Sequence, residues 1–182
     1  YGFMDFSAVI RNKNVGSGLG TNFAGIPLAG SINAHLRDYR LSAQNSRVGL
    51  RFDSAFQGWN LLALAESDFL GFVPGNAAVS SNSSSMRLRL YWADLRRDKW
   101  EFLAGQSWSL LTPNRRGVSP LPEDLFLTQD VDPNIQVGLT WSRDPQVRLT
   151  YHFTNKLAAA FSWAAAEQYG GGSGGSDAII LP

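Results

Sequence analysis

The chain has no cysteine, which excludes disulfides and thiol chemistry and fits an oxidising envelope compartment. It has no stretch of about 20 apolar residues, so a membrane-spanning helix is not encoded. Charge is scarce: 17% of residues are Asp, Glu, Lys or Arg, against roughly 25% in soluble domains. The formal net charge is +1, which argues against nucleic-acid binding through bulk charge. The 2 histidines, His35 and His152, are far apart in sequence and do not form a metal-ligand spacing. Ser80 to Ser85 has no partnering base motif. Glu66 and Asp68 share a strand face without the features of an acid–base pair. An enzyme is not expected, and neither is a cofactor or metal.

What the chain does have is aromatic residues (12%, 6 of them Trp), 18 glycines and a mean hydropathy of −0.14. That value fits a soluble protein. It also fits a transmembrane β-barrel, in which every second strand residue faces water. With 182 residues the chain is long enough for one domain with a substantial core.

Alternation of period two dominates, and period two is a strand signal. Met86, Leu88, Leu90 and Trp92 alternate with Arg87 and Arg89. The charged run Asp94 to Lys99 then reverses the chain, and Trp100, Phe102 and Ala104 are set against Glu101, Leu103 and Gly105. This is a β-hairpin with one apolar and one charged face. Tyr1 to Asn12, Tyr39 to Phe52, Trp59 to Phe69 and Gln146 to Phe153 repeat the design. Leu157 to Gln168 is alanine-rich, which favours a helix by propensity. As a strand it puts Leu157, Ala159, Phe161 and Trp163 opposite small residues, and its context favours the strand. The GSGLG run at 16–20 lacks the order of a dinucleotide fingerprint and reads as loop. Asn82-Ser83-Ser84 is a formal glycosylation sequon with no eukaryotic secretory context to support it.

Connections alternate in length: Lys13–Asp38 long, Asp53–Gly58 short, Gly71–Ser85 long, Asp94–Lys99 short, Ser109–Asn134 long, Thr154–Lys156 short. Outer-membrane barrels combine short periplasmic turns with long external loops, and soluble sandwiches rarely keep such alternation. Aromatics flank the short turns, as an interfacial girdle would; Trp59, Trp92, Trp100 and Tyr151 are the candidate membrane-interface residues. Ile135 to Phe153 is then one long strand broken near Pro145. The expectation is an all-β, antiparallel, porin-like transmembrane barrel, one domain over 1–182. About seven to eight strands are present, seven of them main strands with both ends unpaired. Bacterial barrels have an even number of at least eight and no free edge, so a segment of a longer barrel ending in its fourth external loop is expected.

Several motifs carry a resemblance. Ala43-Gln44-Asn45-Ser46-Arg47-Val48-Gly49-Leu50-Arg51-Phe52 resembles the second-strand motif of the DcaP-like outer-membrane porins, with Asn45 inserted in its Gln-Ser-Arg core. Ala65-Glu66-Ser67-Asp68-Phe69-Leu70-Gly71 is similar to that family's Glu-x-Asp-Phe-x-Gly strand. Leu88 to Ala93 with Gly105 to Trp108, and Asp144 to Tyr151, resemble later strands in the same order. Ile135 to Trp141 has no counterpart. The resemblance implies a homotrimeric, sixteen-stranded diffusion porin in the outer membrane of a Gram-negative bacterium, passing small anionic solutes such as dicarboxylates.

On this strand parity Arg47, Arg51, Arg87, Arg89 and Arg148 face the lumen as a ladder of permanently charged guanidiniums that would attract anions. Glu66 and Asp68 share that face. Glu123, Asp124 and Asp130 are candidates for an inward-folded constriction loop opposing the ladder. Gly105 would leave room for Arg89. The expected partners are small hydrophilic anions, outer-membrane lipid and further copies of the chain. Two other classes compete: a soluble or secreted β-sandwich or barrel binding carbohydrate on exposed Trp, and a non-conducting outer-membrane structural or adhesin barrel. The orientation of Met86, Leu88, Leu90 and Phe102 discriminates: outward they support the porin, and packed into a core they oppose it.

Overall fold

A computed structural model describes residues 1–16, 19, 26–71, 85–112, 117–121 and 143–165. Among these, nine strands form: β1 (Gly2–Phe3), β2 (Ser7–Arg11), β3 (Asp38–Ser42), β4 (Arg47–Phe56), β5 (Trp59–Gly71), β6 (Ser85–Arg97), β7 (Trp100–Trp108), β8 (Arg143–Thr154) and β9 (Leu157–Ala164). A seven-stranded antiparallel sheet runs in the order β1-β4-β5-β6-β7-β8-β9, and β2 pairs with β3 separately. The first expected strand is thus interrupted. Asp5 N–H donates to Ser46 Oγ at 2.9 Å, so a side chain replaces the ladder between the two pairs.

Each short connection is tighter than its polar residues suggest. The first is the two-residue turn Gln57-Gly58, with φ of 48° and 81°, both positive as a type I′ hairpin turn requires. The second is confined to Asp98-Lys99, because β6 continues to Arg97. In the third, Thr154 Oγ1 accepts the N–H groups of Lys156 at 3.1 Å and Leu157 at 3.0 Å. Leu157–Ala164 is a strand; tertiary pairing overrides alanine's helical preference.

β8 begins at Arg143 and runs through Pro145 without a break. Pro145 O accepts from Ala165 N–H at 2.9 Å. In an antiparallel ladder a residue's N and O point to the same neighbour, so the donor proline lacks faces the end of β9, where little is lost. Residues 135–142, the sequon, Ser80 to Ser84 and Gln168 lie outside the described residues.

The sheet has two unlike faces. On one, Leu50, Phe52, Phe56, Met86, Leu88, Phe102, Leu149, Phe161 and Trp163 are all exposed, and among the described residues no second layer covers them. The other face holds the charged side chains and a buried apolar belt of Leu64, Leu90, Trp92 and Leu103, against which Leu62 and Leu121 pack. Met86, Leu88 and Phe102 lie outward as the barrel expectation requires. Leu90 does not.

The reason is a bulge. Glu66 pairs with Leu90, but Ser67 pairs with Leu88, leaving Arg89 as an extra residue. One inserted residue turns every following side chain to the opposite face. Leu90 and Trp92, expected outward, therefore lie inward, and Trp92 is 4% exposed. It is not an interface aromatic. Arg89, the extra residue, points inward beside Arg87 as the sequence predicts.

Candidate functional site

The inner face divides into three tiers between the long loops and the short turns. At the loop end, the bulge gathers three arginines around two carboxylates. Arg87 Nη2 reaches Asp68 Oδ2 at 2.6 Å and its Nε donates to Oδ1 at 3.0 Å, a bidentate pair. Arg89 Nη1 donates to Asp68 at 3.2 Å, and its Nε lies 3.0 Å from Glu66 Oε1, a charge contact outside hydrogen-bond angles. Arg47 Nη1 is 4.0 Å from the same oxygen, with its guanidinium 5.4 Å from the Phe3 ring centroid. Tyr1 OH donates to Glu66 Oε2 at 3.2 Å. Asp68 is fully buried and Glu66 and Arg89 nearly so, whereas the Arg87 side chain is 37% exposed. Arg87 is the member that faces open space.

The middle tier is the apolar belt, with Arg148 directly across the β7–β8 ladder from Leu103. Arg148 is fully buried and donates to Trp108 O at 2.7 Å, Gln146 Oε1 at 2.9 Å and Val118 O at 3.3 Å. Gln146 in turn donates to Ser107 O at 2.8 Å, and Ser162 Oγ donates to Gln146 Oε1 at 2.8 Å. Val118 and Leu121 belong to the third long connection. Residues 117–121 of that connection therefore lie against the inner face, pinned by Arg148 and seated on the leucines. Glu123, Asp124 and Asp130, the acidic residues expected in it, lie outside the described residues.

At the turn end is a cavity of about 870 Å³ lined by Asp53, Asn60, Asp94, Arg96, Glu101, His152 and Lys156 and roofed by residues 117–121. Glu101 Oε2 is 2.8 Å from His152 Nε2. Arg51, on the inner face of β4, holds Asp53 in a bidentate pair of 2.7 Å bonds. Asp94 is buried and its Oδ1 has no hydrogen-bond partner among the described residues.

The outer face at this end carries aromatics: Arg97 stands over the Trp59 ring at 5.4 Å, and Trp100 meets Tyr151 edge-on at 4.7 Å between centroids, followed by Tyr151 and Phe153 at 4.9 Å. Trp59, Trp100 and Tyr151 thus line one rim.

Of the five arginines singled out from sequence, Arg47, Arg87 and Arg89 come together with Glu66 and Asp68. Arg51 and Arg148 stand apart, Arg148 as a clamp within the wall. Gly105 lies across the ladder from Trp92, not Arg89. Sequence reasoning missed Asp94, Arg96, Glu101 and Gln146. Asp94 and Arg96 fall in the charged run that reads as turn, whereas β6 continues through both to Arg97.

A meandering antiparallel sheet with an exposed apolar outer face, a charged inner face and a loop folded onto that inner face is a segment of porin-type barrel wall. The crystal structure of the outer membrane channel DcaP of Acinetobacter baumannii is similar to it, with a TM-score of 0.61 and 23% identity over 91% of this chain. The chain spans 40% of that channel's length, and at this identity the likeness concerns the fold. No family model matches the chain, and no curated protein does.

Proposed function

We propose that this chain forms part of the wall of an outer-membrane diffusion channel in a Gram-negative bacterium, passing small hydrophilic solutes with a preference for anions. The observation that carries the reading is the two-faced sheet. An apolar face left open to the outside suits lipid, and a charged face on the other side suits a watery lumen. Anion preference would come from the loop-end cluster, where three guanidiniums meet two carboxylates. The carboxylates hold the arginines in position, and the surplus positive charge attracts the solute. Arg87 is the most accessible of the three and the residue best placed to touch it. Dicarboxylates fit such a site, because paired guanidiniums match carboxylates bidentately. A homotrimer is the assembly that the sequence resemblance implies.

The test is conductance of the full-length protein in planar bilayers under a salt gradient. A reversal potential on the anion side is expected, falling toward zero on Arg87→Gln. Absence of conductance by folded, inserted protein would instead favour the non-conducting barrel.

A further inference from the structure

We infer that the turn-end cavity is a second solute site, for small molecules carrying both an ammonium and a carboxylate group, of the amino-acid class. Arg96 takes the carboxylate and Asp94 the ammonium. This rests on the channel reading and adds a solute class to it.

Asp94 lines the cavity at 6% exposure with Oδ1 unpartnered among the described residues. A buried carboxylate oxygen without a donor is costly, and an ammonium offers three N–H donors with a compensating charge. Arg96 lines the same cavity, is exposed, and makes no hydrogen bond or ion pair among the described residues. Glu101 faces it across the β6–β7 ladder, but Glu101 is engaged by His152 at 2.8 Å. Asp53 is likewise engaged by Arg51. Lys156 adds a second cation to the lining, and Asp94 and Arg96 are a carboxylate and a cation bonded neither to each other nor to their neighbours among the described residues. They sit two residues apart on one strand face, roughly 6.8 Å between α-carbons, so one small molecule can touch both.

The contrast with the loop end supports the assignment. There the carboxylates each bind arginine, and surplus charge has one sign. Here the two signs are presented separately, beneath a roof that includes Val118, Pro120 and Leu121, whose apolar atoms limit water and strengthen charge interactions. Asn60, opposite Arg96 on β5, supplies further hydrogen bonding to a carboxylate.

The experiment is swelling of liposomes containing the full-length protein, with serine compared to glycerol, an uncharged solute of similar size. Serine entry is expected to saturate with concentration while glycerol entry stays linear. Arg96→Gln and the near-isosteric Asp94→Asn should each weaken the serine site roughly two- to five-fold, the range of a partly exposed charge pair, and leave glycerol entry unchanged. Linear serine entry, or saturation unaltered in both variants, would overturn the inference and leave the channel reading standing. If folded, inserted protein admits neither solute, the channel reading fails and the inference with it.

Discussion

Trp92 lies directly across the β6–β7 ladder from Gly105, whose φ is +126°. A Cβ on Gly105 would collide with the Tyr91 carbonyl oxygen and Trp92 Cα. The two strands meet closely here because one of the two residues has no side chain, and an L side chain would be strained at this φ in any case.

Gly105→Ala is therefore expected to destabilise the folded protein by about 1–3 kcal/mol, the usual cost of a residue forced into a sparsely populated backbone region. A denaturant midpoint equal to that of the parent would show that the close approach is not a constraint.

Asp68 holds two arginines while fully buried. Asp68→Ala leaves Arg87 and Arg89 without it, which costs about 3–5 kcal/mol when a buried pair is broken from one side. Asp68→Asn, with the same shape, should cost less and raise anion preference in bilayers by removing a negative charge. A shift toward cations would contradict the proposed role of the cluster.

Arg148 joins β8, the end of β7 and the inward-folded loop through three acceptors. Arg148→Met should free residues 117–121, seen as faster proteolysis in that segment and a larger single-channel conductance. Lysine is not expected to substitute, since one ammonium cannot reproduce the planar fork. Unchanged conductance together with unchanged proteolysis would remove Arg148 from the loop's support.

Leu50 is midway along β4 on the apolar face. In the membrane, Leu50→Arg should cost about 2–4 kcal/mol, as charged residues do on a lipid-facing barrel wall. Ala160→Arg on the inner face of β9 should cost much less. Equal costs, measured by refolding into lipid, would contradict the assignment of the two faces.

The meander, the order of its strands and the phase of β4, β5, β7 and β9 are legible in the sequence, because period two survives wherever one face differs chemically from the other. β6 shows where that signal deceives. Its apolar residues keep perfect alternation from Met86 to Trp92, yet the chain turns over at Arg89, so the same spacing serves the outside first and the inside afterwards. Nothing in the strand marks the bulge, which is visible only in the pairing with β5 and accompanies the ion pairs of Arg87 and Arg89 with Asp68 and Glu66. Arg47, Arg87 and Arg89 are legible in the sequence as sharing one face. Their carboxylate partners were legible by face but not by pairing. Arg148 could not be separated from them, because two of its acceptors are the backbone carbonyls of Val118 and Trp108, which sequence does not reveal, and the third is the amide of Gln146. The apolar belt was hidden for a related reason: a watery lumen predicts polar residues, whereas a folded-in loop needs a greasy seat.

The bulge at Arg89 has a counterpart. Pairing sums shift by one residue after Glu66 and Leu90, then return to the original offset at Gly71 and Ser85, where β5 carries the extra length. The two irregularities cancel, one on each strand. Loss of a single residue at either would slide everything on its loop side out of step with the neighbouring strands, while matched losses at both would leave the outer portions aligned. Length changes in this hairpin are thus expected to be inherited in pairs, as coupled deletions or insertions on facing strands, and a lone one should mark a protein that no longer assembles.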